Sequence, residues 1–330
     1  EMSGHDPAII SAFERFNEGE LWKQVKDAMD DSFENPPSNY NEIIKKEMKS
    51  IFDSSIKGCP PQGDSRLTIF EMPYNKIEPM VTSNNTKFTV APATKLQTVL
   101  IQMGFRRNPS FKKSTDEDSE EHFKEPRFVS SSFKKGDYNW YPGTRFLGEG
   151  LFIKLAENGG WHDELIGDSV AKWKQNMKNS SQYEDYVFRD GKHSRDEMHP
   201  GFVWWHTLSH LLVREISEDS GYSAASIRER IYFESSGDKF LGGILLYTSQ
   251  PGTEGTLGGL SGLSSSLESY LNNALSKTSY CSGDPLCEEQ IFSQGGYNGA
   301  ACYGCLMNSE TSCEHRNMWL DRSILIENVP

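Results

Sequence analysis

Many of the signals that assign a chain to a common class are missing from this sequence. No stretch approaches the ~18 consecutive apolar residues that a membrane span requires. Glu1-Met-Ser-Gly-His-Asp6 has no charged-then-apolar leader pattern, and the expectation is a cytosolic chain that is one part of something larger, since it does not begin with Met. Basic charge is in deficit, 34 Lys and Arg against 47 Asp and Glu, for a formal net charge of −13. That balance opposes sequence-independent DNA binding by the isolated chain, because phosphate affinity comes from counterions released at Lys and Arg. Nucleotide-binding signatures are absent as well. The glycine-rich stretch Gly252-Thr-Glu-Gly-Thr-Leu-Gly-Gly259 could cradle a phosphate between a strand and a helix. It lacks both a Gly-Lys-Ser/Thr ending and GxGxxG, and Glu254 would repel the ligand.

Apolar and aromatic residues are plentiful. Hydrophobic content of 36%, with seven Trp, eighteen Phe and thirteen Tyr in 330 residues, supplies a core for one large domain or two and excludes wholesale disorder.

Along the chain, residues 1–60 read as helical. Ile9, Ile10, Phe13 and Phe16 recur at helical spacing, then Leu21, Trp22, Val25 and Met29, then Ile43, Ile44, Met48, Ile51 and Phe52. Pro36-Pro37 separates the second set from the third. From Arg66 to Val90 the runs are short and β-leaning. Leu96, Val99, Leu100 and Met103 predict a helix over 93–103 that stops at Gly104. Residues 106–137 read as a solvated loop, whose Arg106-Arg107 and Lys112-Lys113 pairs are offset by Asp116-Glu117-Asp118 and Glu120-Glu121.

Arg145–Leu155 reads as a strand entered through a glycine turn. Glu149, between two glycines, is either a turn cap or a carboxylate aimed into a cleft. A helix is expected over Trp161–Asn176 and a polar connection over 178–200. Gly201–Ile216 is the strongest helix, and it places His206 and His210 on one face. Thr207 occupies the position of the glutamate in HExxH, which argues against a metalloprotease. Buried histidines commonly donate to a carbonyl or carboxylate, and a polar pocket is the alternative. Ser223–Tyr232 is read as a helix capped by Ser223, Phe240–Thr248 as a buried strand, and Leu263–Ser276 as a helix.

Five of the six cysteines fall between 281 and 313. Cys302 and Cys305 form a CxxC pair, which alone could be a redox pair or two buried thiols. Flanking cysteines on both sides favour zinc, with Cys287 and Cys313 completing a closed four-sulfur site. Cys281 and His315 are spare ligands, and Cys59 stands apart. A disulfide reading would need an oxidising compartment. The module is acidic: from residue 280 onward Arg316 and Arg322 face Asp284, Glu288, Glu289, Glu310, Glu314, Asp321 and Glu327. A protein partner therefore suits it better than a phosphate backbone.

The expected architecture is mixed α/β (α+β), a small central sheet flanked by helices, with a C-terminal four-cysteine zinc knuckle. Residues 1–90 form a helical and short-strand region, and 91–330 a second region containing the zinc module at 280–322. A different class of function, a hydrolase or nuclease, would build its site from Glu149, His206, His210 and Glu254.

Several stretches together carry a family resemblance. They are His206-Thr-Leu-Ser-His-Leu-Leu212, Gly221-Tyr-Ser-Ala-Ala-Ser-Ile-Arg-Glu-Arg-Ile-Tyr232, Glu254-Gly-Thr-Leu-Gly-Gly259, Cys281-Ser-Gly-Asp-Pro-Leu-Cys287, Ala301-Cys-Tyr-Gly-Cys305, Glu310-Thr-Ser-Cys-Glu314 and Leu320-Asp-Arg322. In them the chain, over roughly residues 95–325, resembles the C-terminal half of the DrmB family of the DISARM antiphage defence system. The wider family is a zinc-binding domain attached to, or encoded beside, superfamily-2 DNA helicases. The resemblance implies zinc as cofactor, with Cys287, Cys302, Cys305 and Cys313 as ligands. It also implies a DrmA-like helicase partner, DNA reached through the complex and no membrane, and it brings no catalytic activity with it.

Overall fold

The computed structural model describes residues 40–59, 70–73, 79–83, 86–107, 127–135, 138–156, 160–162, 175, 199–236, 239–248, 259–292 and 298–327. The chain divides into two units, Glu1–Lys49 and Ser50–Pro330. Helix α1 (Tyr40–Lys57) crosses that division. The two helices expected before it lie outside the described residues, as does the loop 252–258.

The larger unit is organised by an antiparallel sheet. Strands β1 (Phe70–Glu71) and β2 (Met80–Val81) pair with β3 (Lys87–Ile101). Beyond β3 the order continues through β8 (Gly143–Leu155) and β11 (Lys239–Thr248) to β10 (Ile227–Ser236), while β9 (Gly160–His162) also pairs with β11. Two small ribbons stand apart, β4 (Gly104–Arg107) with β5 (Arg127–Ser130), and β6 (Phe133–Lys135) with β7 (Tyr138–Trp140). The division at residue 90 read from the sequence falls inside β3.

Period-two alternation sets what each face of the sheet carries. Cross-strand partners Phe88 and Leu155, Val90 and Ile153, then Ile153 and Ile244, and Leu151 and Leu246 share one face. Helix α2 (Pro200–Ser220) covers that face, contributing Phe202, Trp204, Trp205, Leu208, Leu211 and Leu212 to the core. On the opposite face the Phe152 ring meets Phe52 edge-on at 5.0 Å and lies 6.3 Å from Tyr232. Residues 148–155 are consequently all buried.

Helix α2 has clear stop signals at both ends. The His199 ring accepts the Gly201 N–H at 2.9 Å, Pro200 takes the first turn, where its missing donor costs nothing, and Gly221 closes the helix at φ 75°. A short helix α3 (Gly259–Gly262), a 3-10 turn (Leu263–Ser265) and α4 (Leu267–Ser276) follow β11. After the cysteine-rich segment the chain closes with α5 (Ser323–Glu327).

Two predicted helices are strands. Residues 93–101 continue β3 and pair with Gly143–Gly150, with a register shift between Ala93 and Leu96. The helical spacing of Leu96, Val99 and Leu100 yields here to β-branched Thr98, Val99 and Ile101 and to a partner strand. Similarly, Ser223–Tyr232 is a turn followed by β10, paired with β11 from Ile227 to Ser236. Good helix formers such as Arg228, Glu229 and Arg230 are overridden there by ladder bonds and by burial of the face that carries Ile227, Glu229 and Ile231. The helix expected over 161–176 begins instead as β9; its middle lies outside the described residues. The helices at Gly201–Ile216 and Leu263–Ser276, the strands at Arg145–Leu155 and Phe240–Thr248, and the mixed α/β class match expectation.

Candidate metal centre

The cysteine-rich segment is built from two turns of the same kind. In Cys281-Ser-Gly283 the glycine N–H donates to the Cys281 sulfur at 3.3 Å, and in Cys302-Tyr-Gly304 the glycine N–H donates to the Cys302 sulfur at 3.3 Å. Each turn is tied to the body by an arginine. Arg322 donates to the Thr278 carbonyl at 3.0 Å and pairs with Asp284, whose other oxygen accepts the Cys281 N–H at 2.8 Å. Arg214 of α2 donates to the carbonyls of Tyr303, Gly304 and Met307 at 3.2–3.4 Å.

Four sulfurs converge between these turns, those of Cys281, Cys287, Cys302 and Cys305. Cys281 and Cys302 are 3.4 Å apart, Cys287 and Cys305 3.7 Å, and Cys302 and Cys305 3.8 Å. Those separations are far beyond the ~2.05 Å of a disulfide. They match the edges, about 3.8 Å, of a tetrahedron with Zn–S bonds of ~2.3 Å.

The electrostatics also ask for a cation. Burial pushes the Cys305 thiol up to about 11, and burial together with the Cys305 charge holds Cys287 higher still. Burial acts the same way on Cys302. There, hydrogen bonds from Cys281 and the Gly304 N–H overcome it and bring the thiol down to about 7. Thiolates so close repel one another, and a divalent ion removes that penalty.

Of the four sulfurs expected to meet, the structure brings together those of Cys287, Cys302 and Cys305, and Cys281 rather than Cys313 lies beside them. The reason lies in the return of the chain beneath α2. Asn308 Nδ2 donates to the His210 carbonyl at 3.1 Å, Ser312 Oγ to the Ala224 carbonyl at 2.6 Å, and the Glu229 N–H to the Ser312 carbonyl at 3.1 Å. Those bonds hold Cys313 against α2 and β10, where its sulfur is 3.2 Å from His206 Nε2. The repeat of Cys-x-Gly at 281 and 302 is the signal in the sequence that picks out Cys281. His315 joins neither ligand group; its ring stands edge-on to Phe202 at 4.9 Å and to His206 at 5.2 Å.

Among the described residues of the hydrolase alternative, His206 and His210 lie together and Glu149 does not join them. Glu149 is buried, accepts the Leu260 and Ser261 N–H groups at 3.0 and 3.3 Å and the Ser261 hydroxyl at 2.6 Å, and so caps α3. His206 and His210 are 0% and 1% exposed and group with Glu229 and Cys313. Burial lowers the His206 pKa, with Glu229 opposing. Burial alone would raise the Glu229 carboxyl, but His210 and His206 hold it well below the usual range. Glu254 lies outside the described residues.

Residues 208–306 match the MrfA Zn-binding domain. That stretch contains Cys281, Cys287, Cys302 and Cys305, whose four sulfurs are in position for a metal, and ends before Cys313. The chain is 32% identical, over 303 residues and 88% of its length, to the DISARM protein DrmB of Bacillus paralicheniformis. It spans about half, 48%, of that protein's length. Among the described residues no helix is long and apolar enough to cross a membrane.

Proposed function

We propose that this chain is a non-enzymatic accessory component of an antiphage defence complex, docking on a superfamily-2 DNA helicase and assisting its engagement of DNA. In this reading zinc sits between Cys281, Cys287, Cys302 and Cys305 as a closed structural ion, which supplies rigidity and no open coordination position. Four reduced cysteines suit the cytoplasm.

The observation that carries the docking role is what surrounds the sulfurs. Tyr280, Leu286 and Tyr303, each next to a cysteine of the cluster, and nearby Ile291 are 69–77% exposed. Large apolar side chains held outward by a rigid knuckle are the usual anchors of a protein interface. Their setting is acidic, so the partner surface is expected to be apolar at its centre and basic at its rim. The similarity to a DISARM protein points to the helicase of that system as the partner.

The test is co-purification of this chain with a DISARM-type superfamily-2 helicase, in the original form and as Tyr280→Ser, Leu286→Ser, Tyr303→Ser together. The triple variant is expected to keep its zinc and lose at least tenfold in helicase affinity. Unchanged affinity with zinc retained would remove the knuckle as the docking surface.

A further inference from the structure

A second group of metal-ligating side chains lies outside the cysteine cluster. It combines His206 and His210 of α2, Glu229 of β10 and Cys313 of the returning loop, with one ligand atom from each and all four within 4.8 Å of one another. His206 Nε2 is 3.0 Å from Glu229 Oε1 and 3.2 Å from the Cys313 sulfur, and His210 Nε2 is 3.3 Å from Glu229 Oε1.

Donor and acceptor accounting shows what this group lacks. His206 Nδ1 faces the Trp319 carbonyl at 3.3 Å and His210 Nδ1 the Leu306 carbonyl at 2.9 Å. A carbonyl only accepts, so both protons belong on Nδ1 and both Nε2 atoms present lone pairs. Both lone pairs point at the same Glu229 carboxylate oxygen, which only accepts, and that of His206 also faces the Cys313 sulfur. Such convergence is the arrangement of metal-ligating histidines, oriented by a backbone carbonyl on the far nitrogen. The other ligands are oriented just as firmly. Ser209 Oγ donates to Glu229 Oε2, leaving Oε1 turned inward. The Cys313 sulfur accepts the N–H groups of His315 and Asn317, both at 3.3 Å. The first of these repeats the turn seen at Cys281 and Cys302.

The loop that delivers these contacts is held in a costly conformation. Arg316, Asn317 and Trp319 have φ of 56°, 57° and 68°, a region that bulky side chains rarely enter. The Asn317 side chain pins it, accepting from the Asn308 N–H and donating to the Asn308 carbonyl, both at 2.9 Å. These turns aim the Asn317 N–H at sulfur and the Trp319 carbonyl at His206.

We propose that His206, His210, Glu229 and Cys313 form a second, structural zinc site that fastens the C-terminal loop to the helix and sheet of the core. Two neutral imidazoles, one carboxylate and one thiolate balance a divalent ion to zero net charge, which suits a fully buried position. The observed separations approach the tetrahedral edges of about 3.3–3.6 Å expected for bonds of ~2.0–2.3 Å. The mixed nitrogen, oxygen and sulfur set suits zinc among the divalent metals available to a cell.

The measurement is metal stoichiometry of the full chain together with zinc-edge X-ray absorption. Two zinc ions per chain are expected, with an average shell of five sulfurs to three nitrogen or oxygen atoms and imidazole scattering beyond it. Cys313→Ser with His210→Gln should fall to one zinc and an all-sulfur shell. Cys302→Ser with Cys305→Ser should keep the imidazole signal. The absorption spectrum of the unaltered chain decides the matter even if a variant fails to fold. One zinc in an all-sulfur shell overturns the second site while leaving the cysteine cluster standing, and absence of zinc overturns both.

Discussion

Gly150 illustrates how tightly single residues are constrained at the centre of the sheet. A Cβ built there would lie 2.6 Å from the Leu246 carbonyl oxygen and 3.0 Å from Tyr247 Cβ. The carbonyl belongs to the neighbouring strand and cannot swing aside. Gly150→Ala is therefore expected to destabilise the protein by about 1–3 kcal/mol, read as a lower urea midpoint at unchanged slope. A midpoint equal to that of the unaltered chain would contradict the close approach of β8 and β11. Next to it, Glu149 exchanges solvent for three donors from α3, so its burial is satisfied without any substrate. Glycine on either side was a legible sign of close approach; which groups would approach was not, because they come from about 110 residues away.

Among the elements, β10 holds the most informative misreading. As a helix, Ser223–Tyr232 gives Glu229 no special place. As a strand, Ile227, Glu229, Ile231 and Phe233 fall on one face, and a lone carboxylate among apolar neighbours asks for a partner. The alternation was present in the sequence, but the high helix propensity of Arg-Glu-Arg masked it. The two cysteine turns form an element of another kind, held by a few hydrogen bonds, two arginines and the proposed ion. Structural zinc contributes roughly 10–16 kcal/mol in isolated peptides. Chelation is expected to open residues 280–322 selectively. In hydrogen exchange those amides should lose protection while β8 and β11 retain theirs, and uniform protection after metal removal would show that the ion does not hold this segment.

Over the whole molecule, charge decides what the chain can do alone. At −13 it has little to offer a phosphate backbone, and any basic path for DNA has to come from a partner. The isolated chain is expected to bind duplex DNA at 150 mM salt no more tightly than the ~10⁻⁴–10⁻⁶ M of non-specific contacts, and the proposed complex with a helicase substantially more tightly than that helicase alone. Tight binding by the isolated chain in a fluorescence anisotropy titration would rule out the accessory role.

The sequence by itself determined the mixed α/β class, the buried helix from Gly201, the strands at Arg145 and Phe240, the acidic balance and a C-terminal segment dense in cysteine. These are properties of composition, local spacing and capping, which act between residues a few positions apart. Only the tertiary structure decided that 93–101 and 227–236 are strands, that Cys281 takes the corner expected for Cys313, and that Cys313 meets His206, His210 and Glu229. Those outcomes depend on which strand pairs with which and on where a loop returns. Ladder bonds and burial between distant segments outweigh local propensity there, and nothing in the spacing of ligands along the chain records them.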